Sequence, residues 1–335
     1  MIVSVVIPCR NEVAHIESCI NTIYKSKTVS ISEIEVLVVD GRSDDGTIDK
    51  LKQLALIYNS LQIVSNPKQV TPVAFNLGIK AAKGEYVQII GARQLISEDY
   101  LENCVQLLES DKNIWCIGGK VINIYENEKS ELIAAAMSSP FGVGAGNFRT
   151  ITETSFVDTV GTPMYRASVF SEIGYFDEEL ARNQDDDYNY RVTKAGGKIL
   201  LNANVSIKYF VRAEFNKLYR QYFQYGYWKV YVNKKHQTIT TIRQLIPLGL
   251  VLFILSFPLW ILISLPELYL LILAIYLFLA VVFALKQTSG AHKVITVVYT
   301  FILLHLSYGL GYLNGVIRFT LFNKKPTDSN KQLSR

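Results

Sequence analysis

Three aspartates stand in a row, Asp185, Asp186 and Asp187, inside the stretch RNQDDDYNYR at residues 182–191. Adjacent like charges repel, so a use must offset the repulsion. Carboxylates in such a run can hold a metal ion, begin a helix whose dipole favours negative charge, take a proton from an attacking hydroxyl, or simply meet solvent. A second acidic group lies in VLVVDGRSDDGT, where Asp40 ends an apolar run and Asp44 and Asp45 follow. Asp and Gly there also suit a turn leading into a capped helix. Two further polar stretches close apolar runs: PCRNE with Pro8, Arg10 and Glu12, and IIGARQ with Gly91, Ala92 and Arg93.

Four apolar runs position these residues: IVSVVIP (2–8), IEVLVVD (34–40), LQIVS (61–65) and YVQII (86–90). Between them, helical patterns are predicted over 11–26, 45–59 and 71–84, the last closing on Gly84 as a C-terminal stop. Strands apolar on both faces and alternating with helices predict an α/β fold with a mainly parallel sheet covered on both sides. In open sheets of this class ligands bind beyond the carboxyl ends of the strands. Those ends are where PCRNE, DGRSDDGT and GARQ fall, so polar residues gather where a nucleotide would sit. Short runs follow at 114–121 and 154–161, then helical patterns near 166–174 and 186–196, and no internal repeat is visible.

Half of the 335 residues are apolar, but unevenly so. From Ile242 onward the chain reads as three membrane spans, about 246–264, 267–285 and 294–317, each near the ~20 residues a bilayer requires. Ahead of them, residues 207–243 hold eight Lys or Arg (Lys208, Arg212, Lys217, Arg220, Lys229, Lys234, Lys235, Arg243) against one acid, Glu214, with Tyr and Trp interleaved. Beside apolar spans this pattern predicts an interfacial helix at an anionic membrane surface, with the polar head in the cytoplasm, and it argues against nucleic acid as the partner. Nothing in MIVSVVIPCRNE reads as a targeting peptide. Cys9, Cys19, Cys104 and Cys116 follow no metal-ligand spacing and are expected to be free thiols.

The order of these motifs resembles family 2 glycosyltransferases. VSVVIPCRNE and VLVVDGRSDDGT match the opening of the family. TPVAFNLGIKAAKGEYV, GTPMYRASVFSEIGYFDEEL and NQDDDYNYRVTKAGGKI continue the likeness over roughly residues 2–232. The spans add similarity to membrane-bound succinoglycan-type enzymes of exopolysaccharide assembly. The resemblance implies a GT-A, Rossmann-like nucleotide-sugar domain over 1–212, followed by the interfacial segment 213–241, spans within 242–322 and a loose tail 323–335. Asp40 would then hold the nucleobase, since a carboxylate can accept the N–H of uracil. Pro8, Arg10 and Glu12 would shape the first nucleotide loop, and Asp45 the neighbouring wall. Asp185 would be the general base of an inverting transfer, with Asp186 toward the acceptor.

The family also implies a Mg²⁺ or Mn²⁺ ion on an Asp-x-Asp pair that ends the fourth strand. Here Gly91, Ala92 and Arg93 stand at those places, and Gln184 replaces a glutamate beside the base. Hard cations require oxygen ligands. Three expectations stay open: Arg93 meeting the diphosphate without a metal, a metal held by other residues, or an inactive relative. QYGYW at 224–228 resembles a Gln-x-x-Arg-Trp motif with Tyr227 in place of arginine, so Gln224 and Trp228 are acceptor-site candidates, Trp228 being equally suited to an interfacial anchor. Gly311 and Gly315, with His305, Tyr308 and Asn314 nearby, predict close helix packing in the last span. The expectation is a membrane-anchored transferase moving a sugar from a nucleotide donor, UDP-linked, to a lipid-linked acceptor. The rivals are transfer onto polyprenyl phosphate, polymer synthesis and a non-catalytic nucleotide-sugar-binding protein.

Overall fold

The computed structural model describes residues 1–125, 127–144, 153–211, 214–240 and 242–326. The chain divides into two units, Met1–Ile122 with Ile151–Phe210, and Asn123–Thr150 with Val211–Arg335. The head expected as one run over 1–212 is therefore interrupted, because Glu128–Met137 and Pro140–Val143 pack with the C-terminal helices. Arg212, Lys331 and Arg335 lie outside the described residues.

The first unit begins β1 (Ile2–Cys9), α1 (Ile16–Tyr24), β2 (Glu33–Asp40), α2 (Thr47–Ile57), β3 (Leu61–Ser65), α3 (Thr71–Ala81), β4 (Tyr86–Ile89), β5 (Gln94–Ile96), α4 (Tyr100–Ser110) and β6 (Ile114–Ile124). After α5 (Glu128–Met137) and α6 (Pro140–Val143) of the second unit, it resumes with β7 (Ser155–Phe156), β8 (Gly161–Arg166), α7 (Ala167–Ile173), α8 (Gln184–Lys194) and β9 (Lys198–Phe210). The described strands form one sheet in the order β3-β2-β1-β4-β8-β6-β9-β5, with β7 paired to β9. Strands β1 to β4 pair in parallel. Beyond β4 the sheet continues antiparallel, through β8 and then β6, with β5 and β7 antiparallel to β9. Val3, Val5, Val6 and Ile7 of β1 and Val36 to Val39 of β2 are wholly buried, as strands covered on both faces must be.

All four predicted strands and their helices are present. The first helix starts five residues later than its pattern, since Asn11 takes a left-handed φ of 55° and breaks the turn. β8 and the long β9 lie where no strand was expected. Gly84 is not a helix stop, because α3 ends at Ala81. A Cβ on Gly84 would lie 2.7 Å from both Ile2 O and Ser4 N, so glycine is needed for close passage beside β1. The buried Glu35 carboxylate accepts the Ser4 hydroxyl and the Lys83 N–H there, and Ser4 Oγ accepts Gly84 N–H at 2.7 Å.

At the start of β4, Tyr86, then Lys112 and Arg166, hold the Glu109 carboxyl at about 2, below its ordinary 4.5. A depressed carboxyl stabilises the fold above the unfolded-state value and loses that contribution as pH falls toward 2. Glu109 is 39% exposed, so solvent screening leaves less than ~1 kcal/mol. Glu109→Gln should lower the urea midpoint of the first unit at pH 7, and the gap from wild type should shrink by more than half at pH 3. Pulse proteolysis of the detergent-solubilised chain measures it.

In the second unit α9 (Phe215–His236), α10 (Ile246–Leu255), α11 (Phe257–Leu262) and α12 (Pro266–Leu285) precede α13 (Ala291–Gly315), which runs on as a π-helical turn over Val316–Leu321. α5, α6, α9, α10 and α12 all pack on α13. Two helices, Pro266–Leu285 and Ala291–Leu321, are long and apolar enough to cross a membrane. The first expected span, 246–264, is instead two short helices that part at Ser256. Ten residues of α10 rise only about 15 Å, half a bilayer core. The break follows from Pro258, which has no N–H for the Ile254 carbonyl; that carbonyl accepts the Tyr269 hydroxyl at 3.2 Å instead. His305 is likewise satisfied within this unit, by Tyr276 Oη at 2.9 Å and Phe141 O at 2.8 Å.

Candidate active site

Parallel pairing places the carboxyl ends of β2, β1 and β4 side by side, with Cys9 opposite Asp40 and Val6 opposite Ile89. Because β8 runs antiparallel to β4, its beginning at Gly161 reaches the same edge. Four residues along this edge or at the start of α8 have left-handed backbones: Asn11, Arg42, Thr162 and Asn183, with φ of 55 to 58°. Asn tolerates that region, but for the β-branched Thr162 it is strained, and such strain collects at functional sites.

The loops after β1 and β2 are sewn together. Asn11 N–H donates to Ser43 Oγ at 2.8 Å, Asn11 Nδ2 to Asp44 Oδ1 at 2.8 Å, and Asp44 N–H to Asn11 Oδ1 at 3.0 Å. Glu12 N–H donates to Thr47 Oγ1 at 2.9 Å, and Val13 N–H to Asp45 Oδ2 at 3.2 Å. Asp45 also accepts Thr47 N–H and Oγ–H. Burial opposes its charged form, but the Thr47 and Val13 bonds prevail and hold its carboxyl below the usual range. Its carboxylate is thus spent on building the wall. Asp40 is buried and accepts Ser43 N–H at 3.1 Å and Ser43 Oγ–H at 2.6 Å, each on a different oxygen. Each oxygen keeps a further acceptor site. Half-buried Arg10 runs along Gly41, whose Cβ position lies 3.4 Å from Arg10 Cβ and Cδ, and Pro8 precedes it at the end of β1. Burial, then the charges of Asp40 and Glu12, push the Cys9 thiol well above its ordinary range, so it is no nucleophile.

After β4, Gly91–Gln94 forms a turn closed by Gln94 N–H to Gly91 O at 2.9 Å and Gly91 N–H to Gln94 Oε1 at 2.6 Å. From it Arg93 reaches across to β1's loop, where Nε donates to Glu12 Oε2 at 2.7 Å. The divalent ion implied by the resemblance does not fit these residues. Gly91 and Ala92 carry no side-chain ligand atom, and a guanidinium occupies the third place. Among the described residues no three His, Cys, Asp or Glu side chains gather to hold a metal ion.

The acidic run opens α8, with Asn183 preceding it. Its three aspartates differ. Asp187 is buried and pairs with Arg191 at 3.1 Å, whose other nitrogens cap the Ile173 and Tyr175 carbonyls at 2.7 Å each. Asp186 accepts Asn183 Nδ2 at 2.9 Å. Asp185 is exposed. Tyr188 anchors the helix by stacking on Phe176, with ring centres 4.3 Å apart. Asn189 lies one turn beyond Asp185 on the same face, accepting Tyr165 Oη–H at 3.0 Å and donating to Thr159 Oγ1 at 2.9 Å, just before β8. The Asp185 charge is also felt at the Tyr165 hydroxyl, which burial foremost raises well above its ordinary value. Asp187→Ala should cost roughly 2 kcal/mol by stranding Arg191 and lower transfer with it, whereas Asp186→Ala should change stability by under ~0.5 kcal/mol; thermal midpoints and rates of the two variants check this.

Sequence reasoning passed over Gln88, Thr162 and Asn189. Gln88 is wholly buried and donates to Thr162 O at 2.9 Å, beside the unpartnered Oγ1 of Thr162. A polar residue inside the apolar run YVQII was the available signal. In the second unit Gln224 is half-buried on α9. Trp228 is 0% exposed and packs edge-on against Tyr227 and Tyr231, with Phe319 beyond. Neither face of its indole is open for a sugar, which corrects the acceptor-platform expectation: the ring is a packing element of α9.

Comparison with known proteins adds to this geometry. The Glycosyl transferase family 2 model matches residues 4–174. The dolichyl N-acetyl-alpha-D-glucosaminyl phosphate 3-beta-D-2,3-diacetamido-2,3-dideoxy-beta-D-glucuronosyltransferase of Methanococcus voltae is 29% identical, over 76% of this chain and 80% of that protein. Succinoglycan biosynthesis protein ExoA of Rhizobium meliloti is 29% identical, over 73% of this chain and 74% of that protein. Among solved structures, GalNAc-T7 with UDP, GalNAc and Mn²⁺ superposes with a TM-score of 0.52 at 17% identity, covering 63% of this chain and 44% of that one. S. aureus TarS gives 0.50 at 20% identity, over 65% and 38%. The chain thus spans less than half of either solved chain, and this likeness supports the GT-A-like fold alone. With over half of its length matched by the family model and its strand-edge motifs assembled at one sheet edge, the chain belongs to glycosyl transferase family 2.

Proposed function

We propose that this glycosyltransferase moves a sugar from a UDP-linked donor to a lipid-linked saccharide at a membrane, with inversion at the anomeric carbon, in assembly of a surface polysaccharide or glycan. The observation that carries the reading is the meeting, at one sheet edge, of the Asp40 loop, the Arg10–Glu12 loop and the Arg93 turn, with α8, which carries Asp185 in its first turn, tied by Asn189 to Thr159 just before β8. Asp40 accepts the N3–H of uracil on its remaining lone pairs. The acceptor hydroxyl attacks C1 as the bond from C1 to the phosphate oxygen breaks. Its proton passes to the Asp185 carboxylate, and the diphosphate leaves. The named acceptors and products of the Methanococcus voltae and Rhizobium meliloti relatives support a lipid-linked substrate or a growing polysaccharide. The two long apolar helices support a place at the membrane; in this reading the catalytic unit lies on the cytoplasmic face, after the Lys and Arg excess of 207–243, of a cell membrane that the chain crosses more than once.

The test is incubation of membranes carrying the chain with a panel of radiolabelled UDP-sugars. The expected result is label in the lipid extract, with an anomeric configuration opposite to the donor's. Label found only as free sugar, or no transfer from any donor, would sink this reading.

A further inference from the structure

Arg93 is held so that the outer edge of its guanidinium is left for a ligand. We propose that it takes the place of a divalent cation against the donor's diphosphate, with Glu12 as the residue that positions it. This rests on the nucleotide-sugar reading above. The Nε bond to Glu12 is the one side-chain hydrogen bond of Arg93 among the described residues, which leaves Nη1 and Nη2 as a pair of parallel donors. Such a fork matches two phosphate oxygens, a geometry that a lysine ammonium does not offer. Arg93 is 34% exposed and Glu12 17%, so the pair sits at a surface within reach of solvent and contributes little to folding. Its base is fixed by the closed turn at Gly91–Gln94, so the fork is aimed before any ligand arrives. Arg10 and Arg42, on the loops after β1 and β2, bring two more guanidinium groups to the same edge, where diphosphate charge needs a counterpart. No side-chain oxygen for a hard cation stands at Gly91 or Ala92, and Arg93 supplies a fixed positive charge there.

Calorimetric titration of the full chain in detergent, with UDP and with uridine as probes, separates the possibilities. In excess EDTA the wild type should bind UDP, and Mn²⁺ should change its Kd by less than threefold. Arg93→Ala should weaken UDP binding roughly 10- to 100-fold while leaving uridine binding unchanged. Arg93→Lys should fall between the two, and Glu12→Gln should weaken UDP alone by a smaller factor. Wild-type UDP binding that requires Mn²⁺, or an Arg93→Ala variant that binds UDP normally or loses uridine equally, would overturn the proposal while leaving the transferase reading intact. Failure to bind UDP, GDP or dTDP under any of these conditions would overturn both.

Discussion

Asp185→Asn should lower the rate of sugar transfer by roughly 10²- to 10⁴-fold, the usual worth of a positioned general base, and leave UDP affinity within twofold. The amide keeps the size and hydrogen-bonding reach of the carboxylate but cannot accept the hydroxyl proton at the moment C1 is attacked. Asp187 is buried against Arg191 and Asp186 accepts Asn183 Nδ2, while Asp185 is the exposed acid of the three and lies one turn before Asn189, which bonds Thr159. Asp49→Asn, at an exposed acid on α2, is the control and should retain the wild-type rate. Initial rates with saturating donor, set beside UDP binding for each variant, read the difference. An Asp185→Asn enzyme that transfers at the wild-type rate would remove this residue from the chemistry.

Gly311→Ala should cost about 3 kcal/mol or more, because it drives a methyl group into main chain. A Cβ at Gly311 would lie 2.0 Å from Phe223 O, and one at Gly226 would lie 2.0 Å from Tyr308 O. Helices α9 and α13 thus touch backbone to backbone at two reciprocal points. Gly315 adds a third approach, its Cβ position 2.8 Å from Tyr227 O. A side-chain obstacle could rotate away, but a carbonyl in a helix cannot without moving the helix. Gly226→Ala should be equally damaging. Gly249→Ala, with nothing within 4 Å of the new methyl, should be neutral or mildly stabilising. Thermal midpoints of the detergent-solubilised variants, with the aggregated fraction by size exclusion, rank the three.

What the sequence disclosed followed from how local its causes are. β1 and β2 announce themselves as unbroken apolar runs, since a strand buried on both faces has no polar side to show. Asp40 and Arg93 were visible because they end such runs. The bond from Arg93 to Glu12 was not visible, as it joins residues 81 positions apart. Strands β8 and β9 escaped because polar residues interrupt GTPMYR and KILLNANVSIKYF and leave no long apolar stretch in either. Trp228 was misjudged because Phe319, on the turn that continues α13, reaches it only when that helix meets α9. Composition located the apolar C-terminal region, yet composition does not register Pro258, whose missing N–H splits the first expected span.

The interruption of the catalytic unit at residues 123–150 bears on biosynthesis. α5 and α6 leave the ribosome roughly 150 residues before α13, their packing partner, which at ordinary elongation speed is a wait of order ten seconds. During that interval Leu132, Ile133 and Met137, buried in the finished protein, are greasy and uncovered. A recombinant fragment stopped at residue 211 would keep those two helices permanently widowed, so poor solubility of such a truncation would report the missing companion rather than a defective sheet.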